Sequence, residues 1–446
     1  MVRFLLLSLG FTFCLSAYAQ NHHPEYKRTN HWYFGRGAGL DFTSGLPVAD
    51  TSAQAIYVTE GTCSISDTAG NLLFYSDGWS GVYDKLHQLM PNSDSLNGNP
   101  SAYQSCLIVP WPRNPDKYFL FTSGVGSYCQ TPVCNDTGAK GIYYSIIDMT
   151  LNNGFGDIAI KNEFLMRPAH EQLCATHHED GQSVWVMAHQ RNEEKYHAWL
   201  ISQNGIDTIP VISEIGNSVQ TPASNLGLKF SPDGTKLAGM VAHLYSFAGI
   251  PDSIELYDFN KSTGFLSNRR TFAGDFPEAW YYGFAFSKQS NFLYVNVNNY
   301  LYVPSGKNWT LKIDIANNSI TVFDSFLVTY HNSYIQDFCL DANDNIYMPL
   351  CNTDTLSAIY NASSQNAQFM QNCLTLSGRK NDWCMPNFIS SYFGFDPATT
   401  GKPEDVFYHG DESFCTKAFQ SLKIDFANHN ISLPYFFREG QILLTN

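Results

Sequence analysis

Short apolar runs rich in aromatic and β-branched side chains alternate along this chain with polar stretches of Gly, Asn, Asp, Ser and Pro. Such a pattern reads as strands separated by turns, and sustained helical periodicity is hard to find. Six turn-and-strand units recur. Polar residues 67–71 lead into apolar 72–75, 114–117 into 118–121, 179–182 into 183–186, 231–235 into 236–238, 287–290 into 291–295, and 341–344 into 345–348. Further strands, at 142–147, 196–201, 254–259 and 310–315, read as outer strands of the same units.

The units are spaced by roughly 45 to 65 residues, within or just above the range of propeller repeats. A turn, a strand, a loop and another strand make most of a four-stranded blade. One blade cannot bury both of its faces, so blades pack against one another around an axis and protect their edges by closing a ring. The expectation is an all-β fold, a β-propeller over residues 20–393, with seven blades and with six or eight as alternatives. The seventh blade is expected to combine residues 32–42 with 383–393, joining the two ends of the ring. Residues 394–446 follow as a short C-terminal extension or a truncated following module.

The N-terminus changes the picture of where this domain works. Arg3, an apolar run over 4–15 and the small residues Ala17 and Ala19 form the pattern of a signal peptide. Residues 1–19 are expected to be removed between Ala19 and Gln20. The apolar run is shorter than the ~20 residues of a spanning helix, so no transmembrane segment is expected in the mature chain. Loss of Arg3 takes the net charge from −14 to −15. That acidity repels phosphates, and no basic cluster offsets it, so nucleic acid is excluded as a partner. Aromatic and charged residues each make up 15% of the chain, enough core-forming material to argue against disorder. Ten of the eleven cysteines remain after leader removal, and an even number in an oxidising compartment points to disulfides. Cys129 and Cys134 are the best local pair, with Cys373 and Cys384 as a second; buried free thiols are the alternative.

Several segments resemble one family. Residues 30–35 (Asn-His-Trp-Tyr-Phe-Gly) with 38–42 (Ala-Gly-Leu-Asp-Phe) are similar to the opening of exported WD40-like propellers of Bacteroidetes. Residues 60–67 and 70–78 resemble their first blade, and 105–110, 284–287 and 385–389 resemble later ones. The resemblance covers about residues 30 to 393 and implies location more than activity. Such propellers usually precede immunoglobulin-like or PKD-like modules and end in gliding-motility or type IX secretion sorting domains. This chain departs from that pattern after 394, which leaves periplasmic retention or assembly with another exported protein as expectations.

Candidate chemistry is sparse. His170, His177, His178, His189 and His197 lie in one unit and are of metal-ligating type, but turn and hairpin positions do not force them together. Glu171, Glu179, Asp180, Glu193 and Glu194 are carboxylates of the type glycoside hydrolysis uses. The oxygen-rich turn at 341–345 has no EF-hand spacing and reads as a hydrogen-bonded turn. No Gly-x-Ser-x-Gly elbow, phosphate loop or His-Glu-x-x-His motif is present. No cofactor, no metal and no catalytic residue is therefore assigned. Aromatic residues in or beside inter-strand loops are the candidate ligand-binding set: Trp79, Tyr83, Tyr128, Trp280, Tyr282, Tyr300 and Trp309. The expected function is an exported, non-catalytic propeller binding a protein or glycan at the envelope or outside the cell. The alternatives are a propeller-fold polysaccharide lyase or glycosidase, and a truncated inactive relative of a longer surface protein.

Overall fold

The computed structural model describes residues 25–53, 56–125, 141–216, 227–241, 252–273, 280–299, 306–328, 337–394, 435–438 and 441–444. The chain divides into two compact units, residues 24–395 and a second made of 1–23 with 396–446. In the second unit the described residues form one antiparallel hairpin, Tyr435–Arg438 with Gln441–Leu444. The expected leader falls outside the described residues.

The first unit is a seven-bladed β-propeller. Its blades follow chain order, each an antiparallel sheet with its first strand at the axis. The axial strands are His31–Phe34, Cys63–Ser66, Cys106–Pro110, Cys174–His177, Leu228–Phe230, Trp280–Phe286 and Cys339–Leu340 for blades 1 to 7. All six polar turns read from the sequence are the hairpins that join this first strand to the second in blades 2 to 7. Their chemistry repeats. The Asp67 carboxylate accepts from the Ala69 and Asn71 backbone N–H groups and from Asn71 Nδ2, and Asp341 does the same for Asn343 and Asn345. The oxygen-rich turn at 341–345 is thus a local hydrogen-bonded turn.

Apolar seams join the blades. Separate clusters fill the interfaces between blades 1 and 2, 2 and 3, 3 and 4, 4 and 5, and 5 and 6; one larger cluster spans blades 6, 7 and 1 and closes the ring. Trp32 sits in that closure. Its ring packs on Phe42, Tyr347 and Phe388, and its Nε1 donates to the Thr29 carbonyl at 2.8 Å.

Two expectations are corrected. The strands read as outer ones, Ile142–Asp148, Lys195–Ser202, Ser253–Phe259 and Gly306–Asp314, are third strands. In blades 3, 5 and 7 the outermost strands are Asp157–Met166, Leu266–Phe272 and Gln368–Thr375, largely exposed in their middles and polar enough to hide from an apolar pattern. Each is bulged at an asparagine with positive φ (Asn162, Asn268, Asn372), which twists the edge away from further pairing.

The second correction concerns residues 383–393, which complete no blade. Blade 1 consists of His31–Phe34, Ala38–Asp41 and Val48–Ala49, tied to the end of blade 7 by an Arg36 N to Lys380 O bond of 2.8 Å. Residues 382–394 instead run down the axis of the ring. Trp383 N donates to Thr59 O beside the start of blade 2's first strand, Pro386 bridges Thr62 in parallel, and His177 N, at the far end of blade 4's first strand, donates to Ser391 Oγ. The spacing explains the choice. Cys384, Met385, Phe388, Ile389, Tyr392 and Phe393 are all buried, and their pattern does not alternate with the period of two that a half-buried strand needs. It suits a segment surrounded on every side: these residues enter three different seams. Asn387 Nδ2 donates to Cys106 O (3.2 Å) and Leu173 O (2.9 Å), spanning blades 3 and 4. Asn387→Leu leaves both carbonyls without that donor and is expected to destabilise the propeller by about 2–4 kcal/mol in urea unfolding.

Candidate functional site

The axial strands of blades 2, 3, 4 and 7 bring polar side chains together at their beginnings. Glu60, Tyr103 and Glu171 each stand three residues before the cysteine that opens the first strand of blades 2, 3 and 4, and Asp337 stands two before Cys339 of blade 7. Tyr282 comes from the first strand of blade 6. All five are buried.

The carboxylates are held rather than free. Asp337 Oδ1 accepts from Lys229 Nζ (2.8 Å), from the Phe338 backbone N–H (2.7 Å) and from the Tyr103 hydroxyl, while Oδ2 accepts from the Met385 N–H (3.2 Å). One carboxylate thereby ties blades 3, 5 and 7 to the axial segment. Glu171 Oε2 accepts from the Tyr103 N–H at 3.0 Å, and Glu60 Oε1 accepts from Ser101 Oγ at 3.2 Å. Burial, and then the negative charge of Glu171, push the Glu60 carboxyl well above the usual range. Asp382, at the head of the axial segment, is raised by burial against the opposing pull of Arg36, whose Nε lies 3.0 Å from Oδ2.

Little space remains. A cavity of about 50 Å³ lies beside the axial segment, lined by Tyr103, Lys229, Phe286, Asp337, Asn387 and Phe393 among others. It has room for ordered water. Tyr282 makes edge contacts with Tyr103 (5.4 Å) and Trp383 (5.5 Å), so three rings close the axis beside the carboxylates.

The sequence candidates separate. Trp79 is 46% exposed, in the connection from the second to the third strand of blade 2, at the end of the ring where the axial strands begin. Asp77 shapes its turn, accepting from the Trp79 and Ser80 N–H groups at 2.8 and 2.7 Å. Tyr83 is half-buried, stacked on Tyr75 at 5.4 Å, with its hydroxyl 3.1 Å from Ser80 Oγ. Tyr282 is 3% exposed and faces the axis, and Trp309 is half-buried against the seam between blades 5 and 6. Trp280 contributes its backbone to the first strand of blade 6; its side chain, like Tyr128, Tyr300, Cys129 and Cys134, lies outside the described residues. Sequence reasoning missed Tyr57, 72% exposed with the Arg36 guanidinium 5.4 Å from its ring centre. It also missed the Glu/Tyr-x-x-Cys spacing that marks Glu60, Tyr103 and Glu171.

Of the carboxylates proposed from sequence, Glu171 alone stands with this axial group; Asp180 caps its own hairpin by accepting from Gln182 and Ser183. The histidines do not assemble a metal site: among the described residues no group of three or more His, Cys, Asp or Glu is placed to hold an ion. His177 Nδ1 lies 2.8 Å from Ser391 Oγ, and His197 Nε2 lies 2.9 Å from Gln190 Oε1. His170 and His189 stack at 5.5 Å, and Tyr196 packs on His189 at 4.4 Å. The expected Cys373–Cys384 pair is not formed: Cys373 receives a hydrogen bond from Tyr360 at the outer edge of blade 7, and Cys384 is buried on the axis.

No protein-family model matches the chain, and no curated protein matches it either. Among solved structures it is similar to a protein from Bacteroides uniformis described as a 6-phosphogluconolactonase, at 13% identity over 80% of this chain and 99% of that one, with a TM-score of 0.47. A functionally unknown protein from Desulfotomaculum acetoxidans follows at 11% identity, 80% and 98% coverage and 0.43. A luciferin-regenerating enzyme follows at 12%, 73% and 95%, and 0.37. At these values the likenesses bear on neither substrate nor activity.

Two predictions test the electrostatics. Lys229→Met removes the only cationic partner that Asp337 has among the described residues and is expected to destabilise the fold by about 3 kcal/mol or more, read by urea unfolding. Burial holds His189 neutral down to a pKa of about 3, whereas the unfolded chain protonates it near 6.5. The unfolded state binds the extra proton between those values, so stability falls as pH drops through that window. Between pH 7 and 4.5 the wild type is expected to lose about 2–3 kcal/mol more than His189→Gln, measured by parallel denaturation series.

Proposed function

We propose that this chain is an exported, non-catalytic binding module that holds a protein or glycan partner at the cell envelope or outside the cell. The carrying observation is the axial segment. Residues 382–394 occupy the place where the blades converge, and the pocket described beside them has a volume of about 50 Å³. A substrate would have to displace residues that belong to three seams. Recognition is therefore assigned to the outer surface at that end of the ring, where Trp79 and Tyr57 offer exposed aromatic faces suited to sugar stacking or to anchoring a protein. The signal-peptide pattern and the resemblance to exported Bacteroidetes propellers support the compartment. Net charge −14 supports a partner other than nucleic acid.

One observation favours the enzymatic alternative, a lyase or glycosidase: Glu60 and Glu171 are buried carboxyls whose charges interact at the mouth of the ring. Both carboxyls are buried, which speaks against substrate access.

The test is capture from a glycan array and from envelope extract, with and without EDTA, by wild-type protein and by Trp79→Ala/Tyr57→Ala. Capture that survives EDTA and weakens at least about tenfold in the double variant supports the module. Cleavage of an arrayed polysaccharide, abolished by Glu60→Gln, replaces it with the enzyme. Capture that the double variant leaves unchanged removes these aromatics from the binding face.

A further inference from the structure

Cys63 and Cys106 open the first strands of blades 2 and 3, and both side chains are completely buried. Their Sγ atoms stand 2.9 Å apart, well inside ordinary non-bonded contact. The backbone around them leaves little freedom. Ser105 Oγ donates to Gly61 O (2.5 Å) and to Asp77 O (2.9 Å), and Gly61 N donates to Ala102 O (3.1 Å). At Gly61 a Cβ would lie 2.5 Å from Ser105 N, so glycine is what lets the two strands come this close. The same place in blades 4 and 7 also carries cysteine, but those thiols face elsewhere. Cys174 packs in the seam between blades 4 and 5, and Cys339 Sγ faces the Leu340 and Pro386 carbonyls. The 63/106 pairing therefore follows from the geometry of one interface and not from the repeat alone.

We propose that Cys63 and Cys106 form a disulfide that staples blade 2 to blade 3 at the axis. Bond formation needs the sulfurs to approach by about 0.9 Å, to the usual ~2.05 Å. The oxidant is a disulfide of a small molecule or of a dithiol oxidoreductase. The Cys63 thiolate attacks it and releases one thiolate; the Cys106 thiolate then attacks the Cys63 sulfur of the mixed disulfide and releases the second. Two protein thiols and one oxidant disulfide become one protein disulfide and two oxidant thiols. Because both sulfurs are buried once blades 2 and 3 meet, the exchange precedes closure of that seam. Oxidation in the cell rests on the export reading above; the geometry does not.

The full chain is refolded in parallel in oxidised glutathione buffer and in reductant, then unfolded, alkylated without reduction and digested. The oxidised sample is expected to yield a Cys63–Cys106 linked peptide two hydrogens lighter than the separate peptides, with neither cysteine alkylated. Alkylation of both in that sample overturns the proposal. The oxidised wild type is expected to melt roughly 3–6 °C above the reduced one, and Cys63→Ala/Cys106→Ala to show no such difference. A difference that persists in the double variant assigns the effect to another pair and also overturns it. A linked peptide in the refolded chain but free thiols in protein isolated from cells keeps the disulfide geometry and sinks the export reading instead.

Discussion

Seven sheets closed into a ring leave a line on which their first strands converge, and the backbone groups that reach it must be paired or hydrated. Backbone carbonyls from neighbouring blades face one another there, and an empty apolar channel would forfeit both packing and hydrogen bonds. In this propeller the chain fills the line with its own residues 382–394. Met385, Phe388 and Phe393 extend the seam that closes the ring, Cys384 extends that between blades 5 and 6, and Ile389 and Tyr392 extend that between blades 3 and 4. Asn387 answers two carbonyls at once. The blades are thus joined to their neighbours by seams and to blades across the ring by this segment.

That arrangement governs the electrostatics. Asp337, Glu60, Glu171 and Asp382 are all buried, and Asp337 and Glu171 accept from backbone N–H groups. Asp337 answers four donors and works as a joint. The buried histidines of blade 4 follow the same logic: burial keeps His170 and His189 neutral, and they pack as polar aromatics. The centre is given over to cohesion between blades.

The outer edges meet the opposite demand. A fourth strand has one unpaired side, and a flat edge invites pairing with another chain. Asn162, Asn268 and Asn372 interrupt three of these strands in the left-handed region, and Ser145 and Ser357 on the adjacent strands receive the Asn162 and Asn372 backbone N–H groups. The same device recurs in blades 3 and 7, as the Asp-capped hairpin recurs in blades 2 and 7.

Much of this was legible from residues alone. The polar turns announce themselves because an Asp or Ser side chain must satisfy nearby backbone N–H groups, a local requirement that leaves a local signature. From them came the all-β class, the repeat and six of the seven blades; the seventh was expected from both ends of the ring and is built from its N-terminal end alone. The outermost strands were not legible, since exposure on both faces removes the apolar alternation by which a strand is recognised. Trp79 was found as an exposed aromatic, but Tyr282 looked equivalent in sequence and lies at the axis, because burial depends on which blades converge and not on neighbours in the chain. The Cys63 and Cys106 juxtaposition and the path of residues 382–394 are of the same kind. The sequence by itself determined the turns, the blades and their order, which rest on contacts between near neighbours. Only the tertiary structure decided what stands on the axis and which thiols and carboxylates meet, because those contacts join residues from different blades, 43 positions apart for Cys63 and Cys106 and 234 for Tyr103 and Asp337.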